Sequence, residues 1–144
     1  GLFDLKVIVA GDLAVDCHHT IEDTGIVLGN AIKEVVGDKK GIRRYGSCIL
    51  PMDETLVLCA VDLSGRPYLV FDGEFTTDRV GYMDTEMVKE FFYAISYTAG
   101  MNLHIRVLSG GNNRCSRLLQ RHWIRQRSLT RGSRISFLPK EVCS

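Results

Sequence analysis

The order of apolar and polar positions along the chain separates strands from helices before any other property is considered. Residues 3–10 alternate, with Leu5, Val7 and Val9 on one side, which is the period of a half-buried strand, and Gly11-Asp12 supplies a turn. Residues 13–17 extend into a second strand. At His18 the period becomes helical. Val27, Leu28, Ala31, Ile32 and Val35 form an apolar stripe as far as Val36, and Gly37-Asp38 stops it. Two strands are expected at 55–61 and 66–71, joined by Asp62-Leu63-Ser64-Gly65 as a hairpin connection. Asp84 is placed to cap a second helix running to Ala99, with Val88, Phe91, Phe92 and Ile95 on its buried stripe and Gly100 at its end. A last strand is expected at 102–108. Strands and long helices in this order predict an α+β fold, a two-layer sheet-and-helix sandwich with two helices covering one face of the sheet.

A faint repeat runs through the pattern. Leu5-Lys6-Val7 leads to Gly11 and then to His18-His19, as Leu103-His104-Ile105 leads to Gly110 and then to Arg114-Cys115. The first copy opens a helix with two histidines; the second loses the pattern at that point.

Composition adds little to this outline except at the C-terminal end. The chain of 144 residues is the size of one domain, 45% hydrophobic and 24% charged, with a net charge of +1. That balance gives no overall attraction to nucleic acid or to an acidic membrane surface. From Arg114 onward, however, Arg114, Arg117, Arg121, Arg125, Arg127, Arg131, Arg134 and Lys140 face Glu141 as the only acid, so the part before Arg114 is net acidic. The five cysteines are scattered without a CxxC pair, which argues against a disulfide framework or a zinc ribbon and suits a reducing cytosol. No apolar run approaches a membrane span. The first residues lack the basic and apolar regions of a signal peptide and lack a methionine, so the chain is expected to begin inside a larger unit.

Four groups of residues could carry chemistry. His18 and Glu22 lie four apart on the first helix and share a face, while His19 sits ~100° round, at ~3.6 residues per turn. One helix end can therefore offer imidazole in two directions, which suits a pair of metals, and imidazole with carboxylate favours zinc, manganese or iron over calcium. A helix start merely decorated with polar residues fits the spacing as well, with Asp23 favouring the positive end of the dipole. Arg44 and Arg66 stand in glycine-bracketed loops, where a guanidinium suits phosphate or carboxylate recognition or simply faces solvent. Glu90 interrupts the apolar face of the second helix, so it lies at the edge of that face or coordinates something, since burial unpaired would be costly. His104, on the opposite strand face from Leu103 and Ile105, is assigned a structural or solvated role.

Read together, the segments are more specific than any one of them. GDLAVDCHHTIEDTGIVLG, GDKKGIRRYG, PMDE, DLSGRP, VGYMDTE, EFF and LHI follow in order. The string resembles the imidazoleglycerol-phosphate dehydratase family of histidine biosynthesis, without gaps, over residues 1–113. The resemblance implies duplicated split β-α-β half-domains, ferredoxin-like in topology, the first incomplete at its start and the second disrupted at its end. It implies a cytoplasmic hydro-lyase that removes water from imidazole glycerol phosphate to give imidazole acetol phosphate, with two manganese ions and the substrate imidazole bound as an anion. His18, His19 and Glu22 match the family's first HHxxE ligand set, the two histidines serving different metals, and act in metal-assisted catalysis. Glu90 matches a further metal-ligand position, and Arg44 and Arg66 match the arginines that hold the phosphate region. The proton removed is attached to carbon and is not acidic, so the ring must first become an electron source, and metals stabilise the charge that develops. The resemblance also implies a homo-oligomer of twenty-four copies with metal sites completed between subunits, and no nucleic-acid or membrane partner.

The departures are as definite. The family has an upstream unit with a further histidine ligand, then a second HHxxE near Arg114, an FKA-type helix and an STKG segment for the phosphate, and this chain carries none of them. Without that half of the ligands, a catalytically dead fragment or assembly subunit is the alternative to a working lyase. Residues 114–144 are expected to form a poorly structured basic tail. A nucleic-acid role would need a folded platform with base-reading groups, which the tail does not offer. Back-translating the tail in a shifted frame recovers both lost motifs in order: Trp123-Ile124, for example, forces the GAT codon of Asp inside an FKA-type helix. A frameshift after Asn113 is therefore expected, and sequencing the encoding DNA checks it. The shifted frame should read through FKA and STKG, whereas codons unrelated to the family in every frame would refute it.

Overall fold

The computed structural model describes residues 4–9, 18–75, 77–80, 83–110 and 134–136. In chain order the elements are β1 (Asp4–Lys6), α1 (His18–Val36), β2 (Tyr45–Met52), β3 (Thr55–Asp62), β4 (Tyr68–Asp72), β5 (Arg79–Val80), β6 (Met83–Asp84), α2 (Glu86–Ala99), β7 (Asn102–Ser109) and β8 (Arg134–Ser136). A four-stranded sheet in the order β2-β3-β7-β4 carries both helices, which bears out the expected α+β sandwich. Chain length is used economically: β4 and β7 pair in parallel, so α2 is the crossover between them, while β3 pairs antiparallel with both β2 and β7.

The core lies between one face of this sheet and the helices. Alternation sends Val57, Cys59 and Val61 of β3 and Leu103, Ile105 and Val107 of β7 toward α2, where they meet Val88, Phe92 and Ile95. Phe71 of β4 stacks between Phe75 and Phe92, with ring centroids 6.0 and 6.5 Å away, and Phe91 meets Phe92 edge-on at 5.4 Å. His104, between buried Leu103 and Ile105, is half-buried on the other face, as its position in the strand predicts.

The two helices meet through glycine. A Cβ on Gly25 would lie 2.9 Å from both Ala94 Cβ and Phe91 O, and one on Gly29 would lie 2.9 Å from Ile95 O and closer still to Thr98 Oγ1. Advancing four residues on α1 advances four on α2, so the helices run in the same direction. This contact corrects the expected stripe on α1. Leu28 and Ala31 are buried and Ile32 is half-buried, but Val27 and Val35 are 52% and 59% exposed. The glycines allow the backbones to approach closely, and the helix turns that side inward at the expense of two valines.

Three further expectations are corrected. The strand at 3–10 is confined to β1; residues 7–9 are irregular and exposed, and residues 3 and 10, like the strand expected at 13–17, lie outside the described residues. The turn at 62–65 does not close a hairpin, because β7 lies between β3 and β4. β3 instead pairs with β2, joined by the two-residue loop Asp53-Glu54, in which Asp53 takes the positive φ of 52° that a primed turn needs. β2 escapes sequence pattern because it is an edge strand that tolerates Gly46 and Pro51. Asp84 does not cap α2: it ends β6 and pairs with Arg79. The N-cap is Thr85, whose hydroxyl is spent on Thr77 O (2.9 Å) and Asp78 O (3.2 Å) and ties the preceding loop down. At the other end Gly100 closes α2 in the left-handed region, φ 64°, as expected. Of the tail expected at 114–144, only β8 is described, paired in parallel with β1.

Overpacking the helix crossing tests this arrangement. Gly29→Val should destabilise the chain by about 1–3 kcal/mol, whereas Val27→Ala, on the solvent side, should stay within about 0.5 kcal/mol. Urea midpoints of the two variants check the contrast.

Candidate functional site

α1 begins at His18, so His18 and His19 occupy its first two positions and Glu22 follows one turn later. Their rings are 6.1 Å apart between centroids and tilted by 58°, so the two imidazoles face different directions, as their angular separation on the helix requires. His18 is half-buried, and His19 and Glu22 are exposed. On α2, Glu90 is exposed at the edge of the apolar face rather than inside it. Because Gly25 lies against Phe91 and Ala94, the parallel register brings Glu90 to the height of Glu22 along the helix pair. All four expected metal ligands thus share one end of the pair. Among the described residues, though, no three His, Cys, Asp or Glu side chains converge closely enough to hold a metal ion. Imidazole and carboxylate are suitable donors for manganese, but in one chain they form an open, partial set.

The two expected substrate arginines meet at the opposite end. Arg44 precedes β2, and Asp62 closes β3 opposite Tyr45; the Leu63 N–H donates to Arg44 O at 3.0 Å and draws the two loops together. Arg44 grips Asp62 in a two-pronged ion pair, Nε to Oδ1 at 2.5 Å and Nη2 to Oδ2 at 3.0 Å, and its guanidinium lies 4.9 Å from the centre of the Tyr45 ring. Arg66 is exposed on the next loop, where its N–H donates to Ser64 Oγ at 3.3 Å. The hydrogen bond from Arg44 holds the Asp62 carboxyl below its ordinary range, helped by the charges of Arg66 and Lys39, and the same bond raises Arg44. Three cations therefore surround one carboxylate. Beside them opens a cleft of ≈ 200 Å³ lined by Lys39, Ile42, Arg44, Leu63 and Ser64. Glycine is required here too: a Cβ on Gly100 would press to 3.3 Å from Gly65 O, so the left-handed end of α2 and the Arg66 loop fit backbone to backbone.

The structure thus joins Arg44 to Arg66, and His18 and His19 to Glu22 and Glu90, but it keeps the two groups apart. The 19 residues of α1 between them span about 28 Å at ~1.5 Å per residue. Sequence reasoning missed Asp62 and Lys39. Asp62 could have been found only with β2 in hand, since that strand is what sets it beside Arg44.

These features define an α+β protein that presents imidazole and carboxylate at one end of a helix pair and guanidinium groups at the other. The family model of imidazoleglycerol-phosphate dehydratase matches residues 1–116, and the chain belongs to that family. It is 69% identical over 113 residues to the imidazoleglycerol-phosphate dehydratase of Lachnoclostridium phytofermentans, covering 78% of this chain and 58% of that protein. It is 61% identical over 112 residues to that of Acetivibrio thermocellus, covering 78% and 57%. Among solved structures, the enzyme from Staphylococcus aureus superposes with a TM-score of 0.67 at 46% identity, over 72% of this chain and 59% of that one. The Pyrococcus furiosus structure, in complex with (S)-C348, gives 0.59 at 38% identity, over 67% and 53%. The chain therefore spans under three-fifths of the length of the curated relatives it matches. No helix among the described residues is long and apolar enough to cross a membrane.

The Arg44–Asp62 pair makes a pH prediction. The folded-state pKa of Asp62 lies below its unfolded value of ~3.9, so its contribution to stability is full above that value and is lost as pH falls through the folded one. Asp62→Asn should lower the thermal midpoint at neutral pH, and the difference from the parent chain should disappear under strongly acid conditions. Scanning calorimetry across that range measures it.

Proposed function

We propose that this chain carries part of the active site of an imidazoleglycerol-phosphate dehydratase, a metal-dependent hydro-lyase that takes water from imidazole glycerol phosphate to form imidazole acetol phosphate in histidine biosynthesis. The observation that carries this reading is the family match, which runs through both the HHTIE helix start and the two arginine loops. His18, His19, Glu22 and Glu90 would hold manganese, and bound manganese supplies Lewis-acid stabilisation of negative charge on the substrate ring. Glu22, with the two imidazoles, would take part in the metal-assisted catalysis. Arg44 and Arg66 would hold the phosphate as charge-assisted donors, with Asp62 fixing the guanidinium plane of Arg44. The cytoplasm, where the substrate would be made and used, is the compartment this reading assigns.

The separation of the two groups supports a further part of the proposal. A small phosphorylated imidazole cannot bridge about 28 Å. On this reading the histidines of one copy would work with the arginines of another, in a homo-oligomer whose sites are shared between copies. The open ligand set of a single chain supports the same reading.

One observation favours a second reading, a catalytically dead fragment: the family match ends at residue 116, and no second HHxxE follows Asn113. Metal content and dehydratase turnover, measured together on the purified chain supplied with manganese, separate the two. A working lyase should bind manganese and form product. His18→Ala and His19→Ala should then each lose both. Arg66→Ala should keep its metal and raise KM about 10- to 100-fold, the ~1.5–3 kcal/mol of a hydrogen bond to a charged group. A metal-free chain without product would establish the dead fragment.

A further inference from the structure

Outside the proposed site, the described residues bring two nucleophilic side chains into direct opposition. Cys48 of β2 and Cys59 of β3 are register partners in the antiparallel ladder, and both are free thiols. Opposed residues share a sheet face, so both side chains point toward the helices. The pair lies four steps from Met52–Thr55, the pair that closes the two-residue turn, and pair types alternate along the ladder. It is therefore of the same hydrogen-bonded type, the wider of the two, with a Cα separation of ~5.5 Å. That falls within the ~4.4–6.8 Å over which a disulfide forms without moving the backbone. The thiols are near enough that Cys48 acts on the protonation of Cys59. They differ in access: Cys48, on the edge strand, is exposed, and Cys59 packs half-buried against the core.

We propose that Cys48 and Cys59 form a thiol-modification site, in which a small-molecule disulfide such as oxidised glutathione is taken up at Cys48 and resolved by Cys59 into a Cys48–Cys59 disulfide. In the first step the Cys48 thiolate attacks one sulfur of the oxidant. A protein–glutathione disulfide forms and one glutathione thiolate leaves. In the second step the Cys59 sulfur, after losing its proton to solvent, attacks Cys48 Sγ, and the second glutathione leaves. Two cysteines are oxidised to one disulfide, and the oxidant is reduced to two thiols. The unequal environments set the order. Burial, with the nearby Cys48, pushes the Cys59 thiol up to about 11, so Cys48 reacts first and the resolving step is the slow one. The bond would cross-link the β2–β3 hairpin, whose far end carries Arg44 and Asp62.

Mass mapping of the full chain after treatment with oxidised glutathione, with quenching by N-ethylmaleimide, tests the proposal. The expected product is a Cys48–Cys59 linked peptide, two hydrogens lighter than the reduced pair and with two alkylatable thiols lost, restored by dithiothreitol. A transient glutathione adduct on Cys48 should precede it, and Cys59→Ser should trap that adduct. A stable adduct on Cys48 in the parent chain, linkage of Cys48 or Cys59 to another cysteine, or two thiols that remain fully alkylatable would each overturn it. The parent-chain readout decides the matter even if a variant fails to fold.

Discussion

The crossing of α1 over α2 at Gly25 and Gly29 is the contact on which the rest of the arrangement depends. It is made of backbone against backbone and small side chains: Ala94, the carbonyls of Phe91 and Ile95, and Thr98. A contact of this kind is intolerant of added atoms, because nothing flexible stands between the two helices to give way. It also sets the register. With Gly25 against Phe91 and Ala94, the first turn of α1 lies level with the first turns of α2, and His18, His19, Glu22 and Glu90 gather at one end.

The other end of the helix pair is held by different means. Ser96 is buried in α2, and its hydroxyl reaches the carbonyls of Tyr68 and Met101 at 3.0 and 2.9 Å. That one side chain joins the start of β4 and the residue before β7 to the helix that connects them. Gly100 then brings the Arg66 loop into backbone contact, and Lys39, three residues beyond α1, leans over Gly65. Basic groups are thus concentrated where two helices present their C-terminal, partially negative ends. The cluster of Lys39, Arg44 and Arg66 around Asp62 is what such a place favours, and it leaves a local excess of positive charge.

This division of labour holds within one chain. One chain holds imidazole and carboxylate at one end of its helices and guanidinium at the other. The core of the described residues is made by α1, α2 and the sheet, and none of the expected ligands belongs to it.

What the sequence alone determined follows from local rules. The bounds of α1 at His18 and Val36, the glycine end of α2, the alternation that turns His104 away from Leu103 and Ile105, and the segments that mark the family were all legible, because period, capping and spacing are properties of neighbouring residues. What the sequence left open was decided by contacts between distant residues. β2 carries too little alternation to be seen, since an edge strand needs only one partner and one buried face. β3 and β4 are not a hairpin, because β7 returns through α2 to take the place between them. Val27 and Val35 face solvent because close backbone approach at the glycines outweighs two apolar side chains. Arg44 and Arg66 were named from their loops, yet their meeting around Asp62 required β2 and β3 to pair. The distance from those arginines to the histidines could be known only once both helices were set side by side. Local chemistry identifies the groups; tertiary structure decides which of them one chain can bring together.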